Sequence, residues 1–209
     1  MTDEDRLEGT ERRRSRRRIL GDVAVGAVTL GGAAEAAKLV AAPAAAGTSS
    51  RTHAADAKIL NFLLSLEELQ TSFFDGIARD GRFSAEIRQF AKTTAKQDKA
   101  HADALRSMLG AAAAPTSAHV QADPKDDASF VHDALALKEA VVAAYIGEAP
   151  NLHRGRVTSV ATIVSVEARH AAWIRSIGDV IPAPRAADRS QTPVNVVREL
   201  EGSGIAKLR

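Results

Sequence analysis

Two stretches decide the fold: Gln97-Asp98-Lys99-Ala100-His101 and Val166-Glu167-Ala168-Arg169-His170-Ala171-Ala172. Each places an acid and a histidine three residues apart, so on a helix both side chains leave the same face about one turn apart. The surrounding apolar rhythm makes that face the inward one. Ile87, Phe90, Thr94, Asp98, His101, Leu105 and Met108 recur every three or four residues up to Gly110, and Ile163, Val164 and Ile174 flank Glu167. A buried carboxylate without a partner is costly, so these acids must meet compensating groups inside the fold.

Each motif helix follows a helix that carries one acid among apolar neighbours. The first, from Asp56 as N-cap to Arg79, turns Ile59, Phe62, Leu63, Leu66, Leu69, Phe73 and Ile77 inward. Glu67 shares that face with Leu60, Leu63, Leu64 and Phe74, whereas Glu68 sees Thr71, Ser72 and Asp75 and points out. Ser84 is the N-cap of the second helix. The third runs from about Asp127 to Ile146, stopping at Gly147, with Val131, Leu135, Val142 and Ile146 inward and Glu139 among them. The fourth spans about Arg156 to Ile177, before Gly178 and Pro182.

The chain therefore reads acid, acid-x-x-His, acid, acid-x-x-His, the order of a carboxylate-bridged two-metal site in a helical bundle. Glu67, Asp98, Glu139 and Glu167 would balance two divalent cations, with His101 and His170 each filling one position. Hard oxygen ligands with imidazole suit iron or manganese. The competing reading makes the same residues ordinary polar groups at the core margin, protonated or reaching solvent. One motif alone would be read that way, but two copies with two lone acids in order favour metal. His53, His119, His132 and His153 are expected at the surface, and Tyr145 and Trp173 in the core or at its rim.

The connections fix the architecture. Residues 80–83 join the first two helices and 148–155 the last two, so each pair must form an antiparallel hairpin. Ala111 to Asp126, rich in alanine, proline and aspartate, is long enough at ~3.3 Å per residue to run the length of a bundle. An all-α, ferritin-like four-helix bundle of two hairpins joined by a long crossover is the expected fold.

Composition agrees and excludes alternatives. The chain has 209 residues, is alanine-rich with 4% aromatic residues, and has few alternating β-branched runs, so helices should pack on helices with little sheet. It has no cysteine, which excludes disulfides, thiolate metal sites and thiol catalysis. Residues 1–46 hold 8 of the 28 basic and 7 of the 26 acidic side chains, leaving 20 against 19, and no basic stripe that would imply nucleic acid.

Arg12-Arg13-Arg14-Ser15-Arg16-Arg17-Arg18 runs into Ile19-Leu20 and a weakly apolar, glycine-containing stretch that ends in alanines around Pro43. Ser15 to Gly21 resembles a twin-arginine export signal, and Ala44-Ala45-Ala46 offers a cleavage site before Gly47. Glu35 and Lys38 interrupt the apolar run, so after processing no stable membrane span is expected. The other reading is a basic arm for a membrane surface or nucleic acid, but such an arm needs neither the apolar run nor the small-residue ending. The twin-arginine route carries folded proteins, which suits a chain that takes up metal before export to the periplasm or beyond. The expected organisation is a signal over 1–46, a linker over 47–55, the bundle over 56–178 and a surface-packed tail over 179–209, whose one short helix begins at Thr192-Pro193 and ends near Glu201.

From about Lys58 to Ile177 the chain resembles exported ferritin-like proteins, the bacterial relatives of plant desiccation-related proteins. The likeness rests on Ile59-Leu60-Asn61-Phe62-Leu63-Leu64-Ser65-Leu66-Glu67, on Ala144-Tyr145-Ile146-Gly147 with Ala149-Pro150, and on Val166 to Ala172. It implies ligand roles for Glu67, His101, Glu139, Glu167 and His170. The chain departs from the family in having Asp98 where glutamate is usual and Gln70 where a second acid is common. Phe73-Phe74 leaves no tyrosine beside Glu67, which argues against radical chemistry. The expected function is an exported protein with a two-ion iron or manganese site that reacts with oxygen or peroxide, or binds iron, during stress. The alternative is a metal-free bundle that protects other envelope proteins. A homo-oligomer is compatible with either, although the export route and the tail fit a large shell poorly.

Overall fold

Side-chain caps from Ser84, Asp126 and His153 set three of the four bundle-helix starts. In the computed structural model, which describes residues 53–116 and 118–208, the Ser84 hydroxyl accepts the amide of Ile87 at 3.3 Å and opens helix α2 (Ala85–Leu109). Asp126 and Ser129 form a reciprocal capping box at the start of α3 (Asp127–Glu148). Helix α1 (His53–Arg79) starts ahead of its expected cap, because Asp56 does another job. Asp56 is buried, and its Oδ1 accepts the amide of His153 at 3.1 Å, just before α4 (Arg154–Ile177). One carboxylate thereby ties the start of α1 to the start of α4. The expected export signal, residues 1–46, lies outside the described residues. No described helix is long and apolar enough to cross a membrane.

Helices α1 and α2 pack as one hairpin and α3 and α4 as the other. Gly110, at φ +55°, ends α2, and a 3-10 turn at Gly110–Ala112 starts the crossover. Asn61 pins that start to α1: its Nδ2 donates to the carbonyl of Ala112 at 2.9 Å and its Oδ1 accepts from the amide of Ala114 at 2.8 Å. The two hairpins bury Leu60, Leu63, Leu66, Ile87, Leu105, Leu137, Val160 and Ile174 between them. An aromatic cluster closes one part of the core, with Phe74 and Phe90 edge to face at 5.6 Å, Phe73 stacked on Phe130 at 5.8 Å, and Phe90 against Trp173 at 5.0 Å.

The C-terminal segment belongs to this core. Helix α5 (Pro193–Gly202) packs on α3 and buries Val196 and Leu200, and Ile205 and Ala206 are buried beyond it. Strand β2 (Ala206–Leu208) pairs antiparallel with β1 (Ala118–Val120) of the crossover, Ala118 opposite Leu208 and Val120 opposite Ala206. Residues 206–208 thus clip the crossover in place where a surface-packed tail was expected, and among the described residues this two-stranded pairing agrees with the expectation of little sheet. Gly147 explains how the tail comes so close. Helix α3 continues through it to Glu148, and a Cβ there would run into the Gln191 carbonyl, while the Gln191 amide donates to the carbonyl of Ala143 at 3.0 Å.

Candidate metal centre

Helix α3 is rotated by one residue, about 100°, from the face the sequence suggests. Its inward stripe is Phe130, Ala134, Lys138, Val141 and Tyr145, all buried, instead of Val131, Leu135, Glu139, Val142 and Ile146. The reason is that α3 is covered on more than one side: residues 140–145 are all buried, because α4 packs on one flank and α5 on another. Such a helix is apolar nearly all round, so two competing stripes exist and periodicity cannot choose between them.

This rotation corrects the expected ligand set. Glu139 does not reach the centre of the bundle. Its Oε1 accepts from Nη2 of buried Arg175 at 2.6 Å, Arg185 and Arg189 approach its Oε2 at 3.7 and 3.5 Å, and its side chain is 21% exposed. Lys138 stands in its place. The Lys138 ammonium, fully buried, donates to Asp98 Oδ1 and Oδ2 at 2.9 and 3.0 Å and to Glu167 Oε2 at 2.8 Å.

The other expected ligands do converge. Glu67 from α1, Asp98 and His101 from α2 and Glu167 from α4 each bring a ligand atom into a group whose members all lie within 4.8 Å of one another. His101 Nδ1 donates to Glu167 Oε1 at 3.0 Å and lies 3.5 Å from Glu67 Oε2. His170 faces the same centre from α4, its ring 6.4 Å from that of His101. Its Nε2 donates to Gln97 Oε1 at 2.5 Å, which leaves the Nδ1 lone pair pointing inward, 3.6 Å from both Asp98 Oδ1 and Glu167 Oε1 and without a hydrogen-bond partner.

Two further side chains complete the surroundings of Glu67. The Tyr145 hydroxyl donates to its Oε1 at 2.5 Å and Gln70 Nε2 to its Oε2 at 3.2 Å. The expectation that no tyrosine stands beside Glu67 is therefore corrected: the phenol comes from α3, across the bundle, instead of from a neighbour on α1. The signal that could have found Lys138 and Tyr145 is the second three-four rhythm of α3, Phe130-Ala134-Lys138-Val141-Tyr145, which is as regular as the one chosen.

Electrostatics show what the site lacks. Burial pushes the Glu67 carboxyl up, with the neighbouring Glu167 adding to it, and burial raises Asp98 well above its usual range against the pull of Lys138. Burial acts on Glu167 in the same direction, but Lys138 and the hydrogen bond from His101 outweigh it and hold that carboxyl well below the usual range. Burial alone would lower His101; its bonds to Glu167 and Glu67 win and push it up to about 10. Burial keeps His170 low and therefore neutral, and drives the Tyr145 phenol well above its ordinary value. A proton on His101 thus holds Glu67 and Glu167 together, and Glu67 and Asp98, which resist ionising here, are the groups a cation would relieve.

The donor set fits a hard or borderline divalent ion: three carboxylates and an imidazole from three helices, in the dry core. It does not fit two such ions. With Glu67, Asp98 and Glu167 all ionised around a bound cation, the Lys138 ammonium offsets one of the three negative charges, so one divalent ion replacing the His101 proton brings the centre to neutrality. A second would leave an uncompensated positive surplus in a buried site.

Access runs between α2 and α4. A cleft of about 360 Å³ bounded by Thr93, Gln97, Arg169 and Trp173 reaches His101 and His170, and the His101 side chain is 12% exposed there. Residues 55–178 match the model of the ferritin-like domain family, and no curated protein matches the chain.

Proposed function

Because this chain belongs to the ferritin-like domain family, we propose that it is an exported iron- or manganese-binding protein whose buried site meets oxygen or peroxide, or takes up iron, in stress protection. The observation that carries this reading is the convergence of Glu67, Asp98, His101 and Glu167 ligand atoms within 4.8 Å in the middle of the bundle. Glu67, Asp98 and Glu167 would supply the carboxylate oxygens and His101 its Nδ1, losing the proton it now shares with Glu167. A bound iron or manganese would supply reversible one-electron chemistry and a place for a small oxidant.

The surrounding side chains prepare the site for such an oxidant. The cleft admits a molecule of oxygen's size to the edges of the two imidazoles, while Phe74 and Phe90 keep water from the opposite side. Tyr145 holds its proton on the bond to Glu67, where it is available to the centre without access to solvent. The twin-arginine-like leader supports export of the chain already folded, and the bacterial desiccation-related likeness supports a protective role; both rest on the sequence.

A second reading, a metal-free bundle that protects other envelope proteins, draws on one observation: Lys138 and the His101 proton already bond the three acids internally. Measuring iron, manganese and zinc in natively exported protein separates the two. Tightly held metal that disappears in Glu167→Gln and His101→Ala supports the metal reading. Substoichiometric metal, indifferent to both substitutions, leaves the second.

A further inference from the structure

We propose that the Lys138 ammonium is a built-in cation that permanently takes one of the two cation places of the bundle centre, so that the chain accepts a single metal ion. The inference rests on the metal-binding reading of the same site and adds its stoichiometry.

The geometry assigns Lys138 this role. Two acids, Asp98 and Glu167, lie between the two places a pair of cations would take. One place is bounded additionally by Glu67 and His101, and its ligand atoms lie within 4.8 Å of one another. The other is bounded additionally by His170, whose inward Nδ1 lies 3.6 Å from both shared acids. Lys138 Nζ bonds these same two acids. It donates to three carboxylate oxygens at 2.8 to 3.0 Å, which uses all three of its N–H donors.

The ammonium is also held fast. It sits over the Phe74 ring at 5.0 Å, it is fully buried, and no solvent path offers it other partners. Withdrawing it would leave Asp98 and Glu167 unpaired in the core. A divalent ion in the second place would have to share Asp98 and Glu167 with this fixed positive charge, without a carboxylate from α3 to offset it, since Glu139 is engaged by Arg175 on the other flank. The glutamate that would complete a second ion's shell is one residue along the chain and about 100° away around the helix.

The test counts ions. Full-length protein is stripped with chelator, titrated anaerobically with Mn(II) and with Fe(II), and weighed by native mass spectrometry, alongside Lys138→Glu and Lys138→Gln, with circular dichroism to verify the fold of each. Wild type should take one ion and Lys138→Glu two. Lys138→Gln, which adds no acid to the core, should hold its ion about tenfold or more tightly, because the repulsive charge beside it is gone. Two ions in wild type, a folded Lys138→Glu that stays at one, or a folded Lys138→Gln with wild-type affinity overturns the assignment while metal binding stands. No uptake by wild type overturns the metal-binding reading first and this assignment with it.

Discussion

Nζ of Lys138 on α3 lies 2.8 Å from Oε2 of Glu167 on α4, and this contact, rather than any made by Glu139, joins the two helices at the bundle centre. Around it Glu167 also accepts from His101, so one carboxylate binds groups from two other helices. Consequences for stability and metal uptake follow from which of these bonds a substitution removes.

Glu167→Gln leaves the Lys138 ammonium with Asp98 alone in a dry site. Removing one partner of a buried charged network costs about 3–5 kcal/mol. Urea denaturation of the metal-free variant should show a loss of that order, and metal addition should raise the midpoint of wild type but not of the variant. A variant as stable as wild type would mean that water reaches Lys138.

Glu139→Gln separates the two stripes of α3. Glu139 contacts Arg175 and the 185–189 segment and no residue of the centre, so metal content per chain should match wild type. Loss of metal in this variant, as in Glu67→Gln, would restore Glu139 to the ligand set.

Tyr145→Phe deletes the donor to Glu67 Oε1 and leaves that buried carboxyl with the Gln70 amide and, 3.5 Å away, His101. Destabilisation of about 1–3 kcal/mol is expected for the metal-free protein, measured by chemical denaturation. An unchanged midpoint would show that the phenol bond contributes nothing net.

Gly147→Ala sets a methyl group against the Gln191 carbonyl and should lever the tail off α3. Overpacking of this kind costs about 1–3 kcal/mol. Limited proteolysis should then cut within residues 183–192 faster than in wild type, while helix content falls only by the share of α5.

The Asp126 cap predicts a pH dependence. Hydrogen bonds from the Ser129 amide and hydroxyl hold its carboxyl below the ordinary 3.8, so its contribution is fully present above that value and is lost as the pH falls through the lowered folded value. The stability gap between wild type and Asp126→Ala should be flat from neutral pH down to the carboxylate range and shrink below it. A gap that widens on acidification would contradict the cap.

Much of this was legible along the chain because it depends on local periodicity. Asp98, His101 and Glu167 sit on helices with one apolar face and a polar opposite face, so the inward direction was determined by spacing alone. Glu67 was resolved from Glu68 by the same argument, and Glu68 pairs with Arg106 on the outside. The short hairpin connections and the long stretch from Ala111 to Asp126 determined which helices are neighbours.

On α3 this reasoning failed, and the reason is physical. Helix α3 is buried beneath α4 and the C-terminal segment as well as against α1, so Lys138 and Glu139 both lie beside apolar neighbours, and the choice of which enters the centre belongs to packing between elements distant in sequence. Tyr145 followed Lys138, seven residues along the same stripe. The pairing of Ala118–Val120 with Ala206–Leu208 is likewise a long-range contact between two segments too short to announce themselves.

The sequence by itself determined an all-α bundle, its hairpins and the two acid-x-x-His faces, because a helix with one apolar side can point only one way. Only the tertiary structure decided the rotation of α3, and with it the exchange of a carboxylate for an ammonium at the centre, because a helix covered on several sides takes its orientation from its neighbours.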